Sequence, residues 1–129
     1  MFVNDPLDMH PSAKALATAG ICANSQGFFW EMREKLFQLQ PKTEKDMSAL
    51  LPQVPLNRAD FEKCLKDEAA IGRQVIEKDL ARTNSLGLKG TPSFAIGLAD
   101  SNDRITVKKL MTGSLPLEAF QDALNDVMK

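Results

Sequence analysis

The chain has 129 residues, enough for one domain with a single core, and its composition, 43% hydrophobic and 26% charged, is ordinary for a soluble globular protein. Its 16 basic and 17 acidic residues are mixed along the chain, so neither nucleic acid nor a membrane surface is indicated as a partner. The apolar runs are far shorter than the ~20 residues that span a bilayer. The N-terminus lacks the basic and apolar regions of a signal peptide, so as written the chain would stay in the cytoplasm.

Residues that hold metals or cofactors are scarce. Cys22, Cys64 and the single histidine, His10, are fewer than the four ligands of a structural zinc site, and the cysteines are too far apart for a CxxC motif. The sequence contains no P-loop, GxGxxG, HExxH or GxSxG motif. We therefore predict neither a metal site nor a cofactor.

The first predicted elements are a short strand and two helices. Phe2-Val3 predicts a strand fragment, and the prolines that follow predict a turn, so that strand and turn occupy residues 2–9. Helices are predicted over 13–23 and 28–39, the second from apolar residues at helical spacing. We interpret the aromatic run Phe28-Phe29-Trp30 as part of the core, because aromatic residues at this spacing are most often buried.

Three further helices are predicted before the apolar period changes. Thr43 begins a capping box with the acidic residue three positions later, and Asn57 repeats the signal for the next helix. A longer helix is predicted over 68–86, and Gly87 follows it in the position of a left-handed C-terminal cap.

Beyond this point the apolar residues alternate with a period of two. Alternation begins at Phe94, a polar cluster at 100–103 turns the chain, and alternation resumes at Ile105, a pattern that predicts a β-hairpin. Pro116 then begins a final amphipathic helix.

Three stretches of the chain, taken in order, form one pattern: His10-Pro11-Ser12-Ala13 with Cys22-Ala23 and 26–32, then Phe61-Glu62-Lys63-Cys64-Leu65, then Leu86-Gly87, Gly90-Thr91-Pro92-Ser93-Phe94, Gly113 and Glu118-Ala119-Phe120. Together they resemble the DsbA-like branch of the thioredoxin superfamily, whose members are thiol–disulfide oxidoreductases of the cell envelope. The resemblance implies an α/β chain of a single domain, 1–129, with an incomplete thioredoxin-like fold of DsbA type. In that fold a helical insertion (11–86) precedes a C-terminal ββα unit (90–129).

The resemblance assigns a role to the loop formed by Gly90, Thr91, Pro92 and Ser93. In the family, the proline that matches Pro92 is cis, opens a core strand and helps to hold extended substrate segments by backbone pairing. Although only ~5% of X–Pro bonds are cis, we therefore expect a cis Thr91–Pro92 bond and an extended protein or peptide segment as partner.

The resemblance also bears on Cys22 and Cys64. A buried free cysteine behaves as a small hydrophobe, and the apolar helix stripe that contains Cys22 favours that state. Relatives with a cysteine at both positions often pair them across the helical insertion, which implies a structural disulfide that the cytoplasm would reduce. The sequence leaves both states open, and neither cysteine is expected to be catalytic.

One departure from the family pattern decides the expected activity. Family domains begin with a strand and a helix that carries the CxxC motif, and only then continue with the strand matched by Phe2-Val3. This chain begins at that later strand, so the motif that supplies the reactive thiolate is missing, and we expect it to be redox-inactive alone. Full-length family members are usually periplasmic or secreted, which leaves the location of this chain open.

Two alternatives remain. The first is a non-catalytic protein-binding or homo-oligomerising module. In either case we predict a homodimer joined through the sheet, because the missing strand leaves the backbone groups of Phe94 and Ile96 without a neighbour on one side. The second is a relative of kappa-type glutathione transferases, which share the helical insertion but also need a residue at the missing helix start.

Overall fold

The computed structural model describes residues 1–67 and 72–129, and its contacts divide the chain into two units. The first unit, Met1–Arg82, is helical, and the second, Thr83–Lys129, contains a hairpin and a helix. The assignment of both units to one domain stays a prediction of the sequence. The elements are α1 (Ala13–Asn24), α2 (Phe29–Leu39), α3 (Glu44–Leu50) with a 3₁₀ turn at Leu51–Gln53, α4 (Arg58–Lys66), α5 (Gly72–Ser85), β1 (Ser93–Ala99), β2 (Ile105–Thr112) and α6 (Leu117–Met128).

The bounds of the helices and the hairpin agree closely with the predicted ones, apart from the start of the helix expected over 68–86, whose residues 68–71 lie outside the described part of the chain. Among the described residues, no helix combines the length and the apolarity needed to cross a membrane. Gly87 has a φ of 69°, the left-handed conformation predicted for a helix C-terminal cap.

Side-chain caps begin α3 and α4. The hydroxyl of Thr43 accepts a hydrogen bond from the backbone N–H of Asp46 at 3.2 Å, and the Asp46 carboxylate accepts one from the backbone N–H of Thr43 at 3.0 Å. This reciprocal pair confirms the predicted capping box. Asn57 caps α4 by accepting from the N–H of Asp60, while its own N–H donates to Gln26 in the loop after α1.

The core of the first unit surrounds a disulfide bond. Cys22 of α1 and Cys64 of α4 are joined, with their Cα atoms 5.8 Å apart, so the paired state is the one the structure adopts. Small residues on α1 allow α4 to approach closely at this point. The buried side chains of this core are Ala19, Cys22, Ala23, Met32, Leu50, Leu51, Val54 and Phe61.

The N-terminal segment corrects one prediction, because Phe2-Val3 does not form a strand. A strand requires a neighbour for its backbone groups, and the described residues provide none at this position. The segment instead docks on α5: the backbone N–H and the side-chain amide of Asn4 both donate to one carboxylate oxygen of the buried Asp79, at 2.9 and 2.8 Å. Arg82 lies 3.3 Å from the other oxygen.

The aromatic run at the start of α2 is a second correction. Phe28 and Phe29 are half-buried as expected, but Trp30 is 66% exposed. The helix turns its buried stripe toward Met32, so three successive aromatic residues cannot all face the core. Trp30 lies instead beside Arg33, whose guanidinium carbon is 5.8 Å from the centroid of the Trp30 ring.

The second unit consists of the β1–β2 hairpin and α6. The two strands are antiparallel, with Ser93 opposite Thr112 at one end and Ala99 opposite Ile105 at the other. Helix α6 packs on one face of the hairpin, where the rings of Phe94 and Phe120 meet edge to face at 4.8 Å. The hairpin and the final helix are therefore as the alternating and helical patterns predicted.

We expect reduction of the Cys22–Cys64 bond to lower the free energy of unfolding of the first unit. The bond spans a sequence separation of 42, and closure of a loop of that length contributes about 4 kcal/mol in the chain-entropy description. Urea unfolding, followed by the fluorescence of Trp30 with and without reductant, measures the difference. The Cys22→Ala/Cys64→Ala variant is the control, because reductant should not move its midpoint. Equal stability of the oxidised chain and this variant would contradict the prediction.

Candidate functional site

The loop at 90–93, which we call the proline loop, leads directly into β1. Its Thr91–Pro92 peptide bond is cis. The carbonyl of Pro92 accepts a hydrogen bond from the N–H of Gly113 at 2.8 Å, which ties the loop to the residue that follows β2. Thr91 and Pro92 are exposed, so the loop presents these two side chains to solvent.

Hydrogen bonds within the loop hold its shape. The hydroxyl of Ser93 donates to the carbonyl of Gly90 and lies 3.4 Å from the hydroxyl oxygen of Thr112 on β2. The four residues assigned to the site by the family resemblance are thus contiguous and fixed at the entry to the hairpin. Their role in binding a polypeptide stays a prediction at this point.

Backbone hydrogen bonds at the two ends of β1 determine which of its groups face β2. Pro92 accepts from Gly113 at one end, and the N–H of Asp100 donates to the carbonyl of Arg104 at 2.9 Å at the other. In an antiparallel pair, successive residues alternate between bonding the partner strand and pointing away from it. Even-numbered residues from 92 to 100 therefore bond toward β2. The residues whose backbone groups point away from β2 are Ser93, Ala95, Gly97 and Ala99.

We call these outward backbone groups the outer edge of β1. The groups without a neighbour were predicted at Phe94 and Ile96, and this prediction was wrong by one residue, because the backbone groups of those two residues bond toward β2. Within residues 1–67 and 72–129, the sheet has two strands and no strand pairs with the outer edge. The edge therefore offers N–H donors and carbonyl acceptors in the arrangement that an additional strand requires.

The side chains of β1 suit an extended polypeptide as well as its backbone does. The strand, from Ser93 to Ala99, carries no charged residue, and the residues of the outer edge are all small. Phe94 and Leu98 are 38% and 47% exposed, respectively, so apolar surface flanks the edge. In contrast, β2 carries two adjacent lysines, Lys108 and Lys109.

Gly97 is a site residue that the sequence analysis missed. The register shifts next to it: Ile96 pairs with Lys109, whereas Gly97 pairs with Val107, which leaves Lys108 as the extra residue of a β-bulge. A Cβ atom at Gly97 would overlap the carbonyl oxygen of Thr106, so only glycine fits this close approach. A glycine inside an alternating strand pattern is the signal that could have indicated the bulge.

The turn between the strands is held by Asp100. Its carboxylate accepts hydrogen bonds from the backbone N–H groups of Asn102 at 2.8 Å and Arg104 at 3.0 Å, and it pairs with the Arg104 side chain at 3.0 Å. These bonds lower the pKa of Asp100 below its ordinary value, and the bond from the Asn102 N–H has the largest effect, followed by the bond from the Arg104 N–H.

The two cysteines lie apart from the proline loop in sequence and belong to the first unit. Both are engaged in the disulfide, and Cys22 is fully buried in the core. Among the residues that the structure describes, no group of three or more His, Cys, Asp or Glu side chains is placed to hold a metal ion.

The described residues form a helical unit followed by a ββα unit, and this mixed α/β arrangement is consistent with a thioredoxin-like fold. The family model described as thioredoxin matches residues 2–112, and the chain belongs to the thioredoxin family.

A curated relative is similar to a large part of the chain. The chain is 32% identical over 90 residues to the Na(+)/H(+) antiporter NhaA 3 of Salinispora tropica. The matched region is 69% of this chain but only 14% of the antiporter, so the chain spans a small part of that relative. No solved structure matches the chain.

We expect Gly97→Ala to destabilise the hairpin, because the new methyl group meets the carbonyl of Thr106 and lies 2.9 Å from Cγ2 of Ile105. Overpacking of this kind typically costs about 1–3 kcal/mol. Gly90→Ala is the matched control, since no atom lies within 4 Å of its Cβ position and its φ is not left-handed. Thermal unfolding followed by the β1 and β2 amide signals in NMR spectra measures both variants. A Gly97→Ala hairpin as stable as that of Gly90→Ala would contradict the close approach.

We also expect the stability of the turn to depend on pH through the Asp100 carboxyl group. Because the pKa of Asp100 is lower in the folded than in the unfolded chain, the turn is stabilised above the unfolded pKa, and this stabilisation is lost as the pH falls through the folded pKa. NMR titration of the Asp100 carboxyl carbon should give a pKa below the ordinary 3.8. In Asp100→Asn, the acid-dependent loss of hairpin stability should be smaller than in the unmodified chain. A normal pKa for Asp100 would show that the turn does not depend on its carboxylate.

Proposed function

We propose that this chain is a DsbA-like member of the thioredoxin family that binds extended polypeptide segments at the proline loop and the outer edge of β1, and that it does not itself exchange disulfides. The observation that carries the proposal is the outer edge, whose backbone groups lie directly after the proline loop and are paired with no strand among the described residues.

Binding would take place by strand addition. An extended segment along the outer edge exchanges backbone hydrogen bonds with Ala95 and Gly97. Every second side chain of the segment contacts Phe94 or Leu98. Because the small residues of the edge leave room for the incoming backbone, the segment can approach without side-chain rearrangement. The uncharged strand favours segments that are themselves uncharged.

The state of the two cysteines supports the proposed lack of dithiol chemistry. Thiol–disulfide exchange begins with a thiolate, and the low-pKa thiolates of this chemistry are found in CxxC motifs and at helix N-termini. The 129 residues contain no CxxC, and both cysteines form the disulfide between α1 and α4. Cys22 lies near the C-terminal end of α1, not at its N-terminus. The chain therefore provides a binding surface without a nucleophile.

The likeness to the antiporter does not extend this proposal to ion transport. The name of that relative describes sodium–proton exchange, but the matched residues form only 14% of it. The proposal therefore concerns this chain alone and takes nothing from the antiporter's transport activity.

The purified chain is expected not to reduce insulin or to oxidise a reduced test protein above the uncatalysed rate, since no exposed thiolate is present. The Cys22→Ala/Cys64→Ala variant serves as the control for trace activity. Turnover that is present in the unmodified chain and absent from this variant would show that the disulfide is catalytic, and would refute the redox-inactive part of the proposal.

Binding is tested with a reduced and alkylated, and hence permanently unfolded, test protein. Ala95→Pro removes an N–H of the outer edge and leaves the β1–β2 hydrogen bonds in place, so it should weaken binding by about tenfold or more, equivalent to about 1.4 kcal/mol. Leu110→Pro is the matched control, because Leu110 lies directly opposite Ala95 and its N–H points away from β1. Calorimetry measures both affinities.

Two results of that titration would contradict the polypeptide-binding proposal. One is an unmodified chain that does not bind the unfolded protein. The other is equal binding by Ala95→Pro and Leu110→Pro, with both variants retaining the circular dichroism spectrum of the unmodified chain, which would place the binding surface elsewhere.

A further inference from the structure

The outer edge of β1 is complementary to itself. Binding of other polypeptides does not require this property. Soluble proteins usually protect such edges with a charge, most often lysine, or with a proline within the strand. Strand β1, Ser93–Ala99, has neither between its ends, whereas β2 carries Lys108 and Lys109. Two copies of β2 that paired with each other would bring lysines together, but two copies of β1 would not.

The length of β1 allows one two-fold arrangement that uses the whole edge. The strand has 7 residues, and Ile96 is the middle one. With the two-fold axis at Ile96, each outward residue faces an outward residue of the other copy: Ala95 opposite Gly97 and Ser93 opposite Ala99. These are the pairs that exchange both of their backbone hydrogen bonds in an antiparallel ladder.

The same arrangement brings the apolar side chains together. In the positions between the hydrogen-bonded pairs, Phe94 of one copy lies opposite Leu98 of the other, and Ile96 lies opposite its own equivalent. Phe94 and Leu98 are 38% and 47% exposed in a single chain, so their pairing covers apolar surface that the hairpin otherwise leaves in water. No charged residue of β1 is buried by it.

We propose that the occupant of the outer edge in the absence of a polypeptide is a second copy of this chain, paired β1 to β1 in the register centred on Ile96. The resulting homodimer contains a continuous four-stranded antiparallel sheet with identical surfaces from each copy, the form expected of a two-fold interface. Self-pairing and polypeptide binding use the same backbone groups, so each excludes the other. Only this mutual exclusion rests on the proposed function.

The test uses opposite charges at Ala95, which is exposed. In the proposed register the two copies of residue 95 are diagonal neighbours on one face of the sheet, within reach of long side chains. Ala95→Lys alone and Ala95→Glu alone should each form the dimer about two- to fivefold more weakly than the unmodified chain, because like charges meet across the axis. An equimolar mixture of the two variants should regain the dimer, because the charges are then opposite.

Sedimentation equilibrium of the 129-residue chain, without any added polypeptide, measures these constants. The matched controls are Leu110→Lys and Leu110→Glu on the opposite strand, which should leave the dimer constant unchanged. Circular dichroism of each variant reports whether its hairpin is retained, and recovery in the mixture requires folded chains of both kinds. A dimer in the unmodified chain, weakened in both Ala95 variants and regained on mixing, supports the proposal.

An unmodified chain that is monomeric at concentrations of about 100 μM would overturn it, since self-pairing would then be too weak to occupy the edge. So would a dimer that the Ala95 variants do not weaken, or one that the mixture does not regain. Because no polypeptide is present, a monomer that still binds the unfolded test protein refutes only the homodimer, and a dimer that binds no polypeptide refutes only the proposed function.

Discussion

Both units depend on one constraint: every backbone N–H and C=O group needs a hydrogen-bonding partner. At the helix ends of the first unit, the side chains of Thr43 and Asn57 supply partners for the backbone N–H groups of α3 and α4. The buried carboxylate of Asp79 accepts the hydrogen bond of the Asn4 backbone N–H in the N-terminal segment. In the second unit, β2 supplies hydrogen-bonding partners for one side of β1, and the other side is the outer edge, where we propose that binding takes place.

The two units solve the problem of stability differently. In the first, the disulfide joins α1 to α4 inside a core of small and apolar residues, so the pairing of Cys22 with Cys64 supports the fold and leaves no thiol for chemistry. In the second, α6 packs on one face of the hairpin, where Phe94 meets Phe120, and the buried apolar residues described in this unit are Met111 and Ala123. A two-stranded sheet is marginal by itself, and an added strand stabilises it. The proposed binding at the outer edge would therefore also stabilise the hairpin.

How much the sequence predicted depends on how local each signal is. The capping box at Thr43 and the alternation from Phe94 act over a few residues, and both were predicted correctly. The contact between Asn4 and Asp79 joins residues 75 positions apart, and no local pattern indicates it, which is why the strand expected at the N-terminus was wrong. The outer edge was predicted, but one residue out of register, because periodicity reports which side chains share a face and not which backbone groups bond the neighbouring strand.

Amide hydrogen exchange along β1 tests the central claim most directly, since it reports on each backbone N–H separately. In the monomeric chain, at a concentration below self-pairing, the amides of Phe94, Ile96 and Leu98 should exchange slowly and those of Ala95, Gly97 and Ala99 rapidly. Addition of the unfolded test protein should slow the exchange of the second set by about tenfold or more and leave the first set largely unchanged. Binding that protects neither Ala95 nor Gly97 would contradict the account, because the polypeptide would then not be paired with the outer edge of β1.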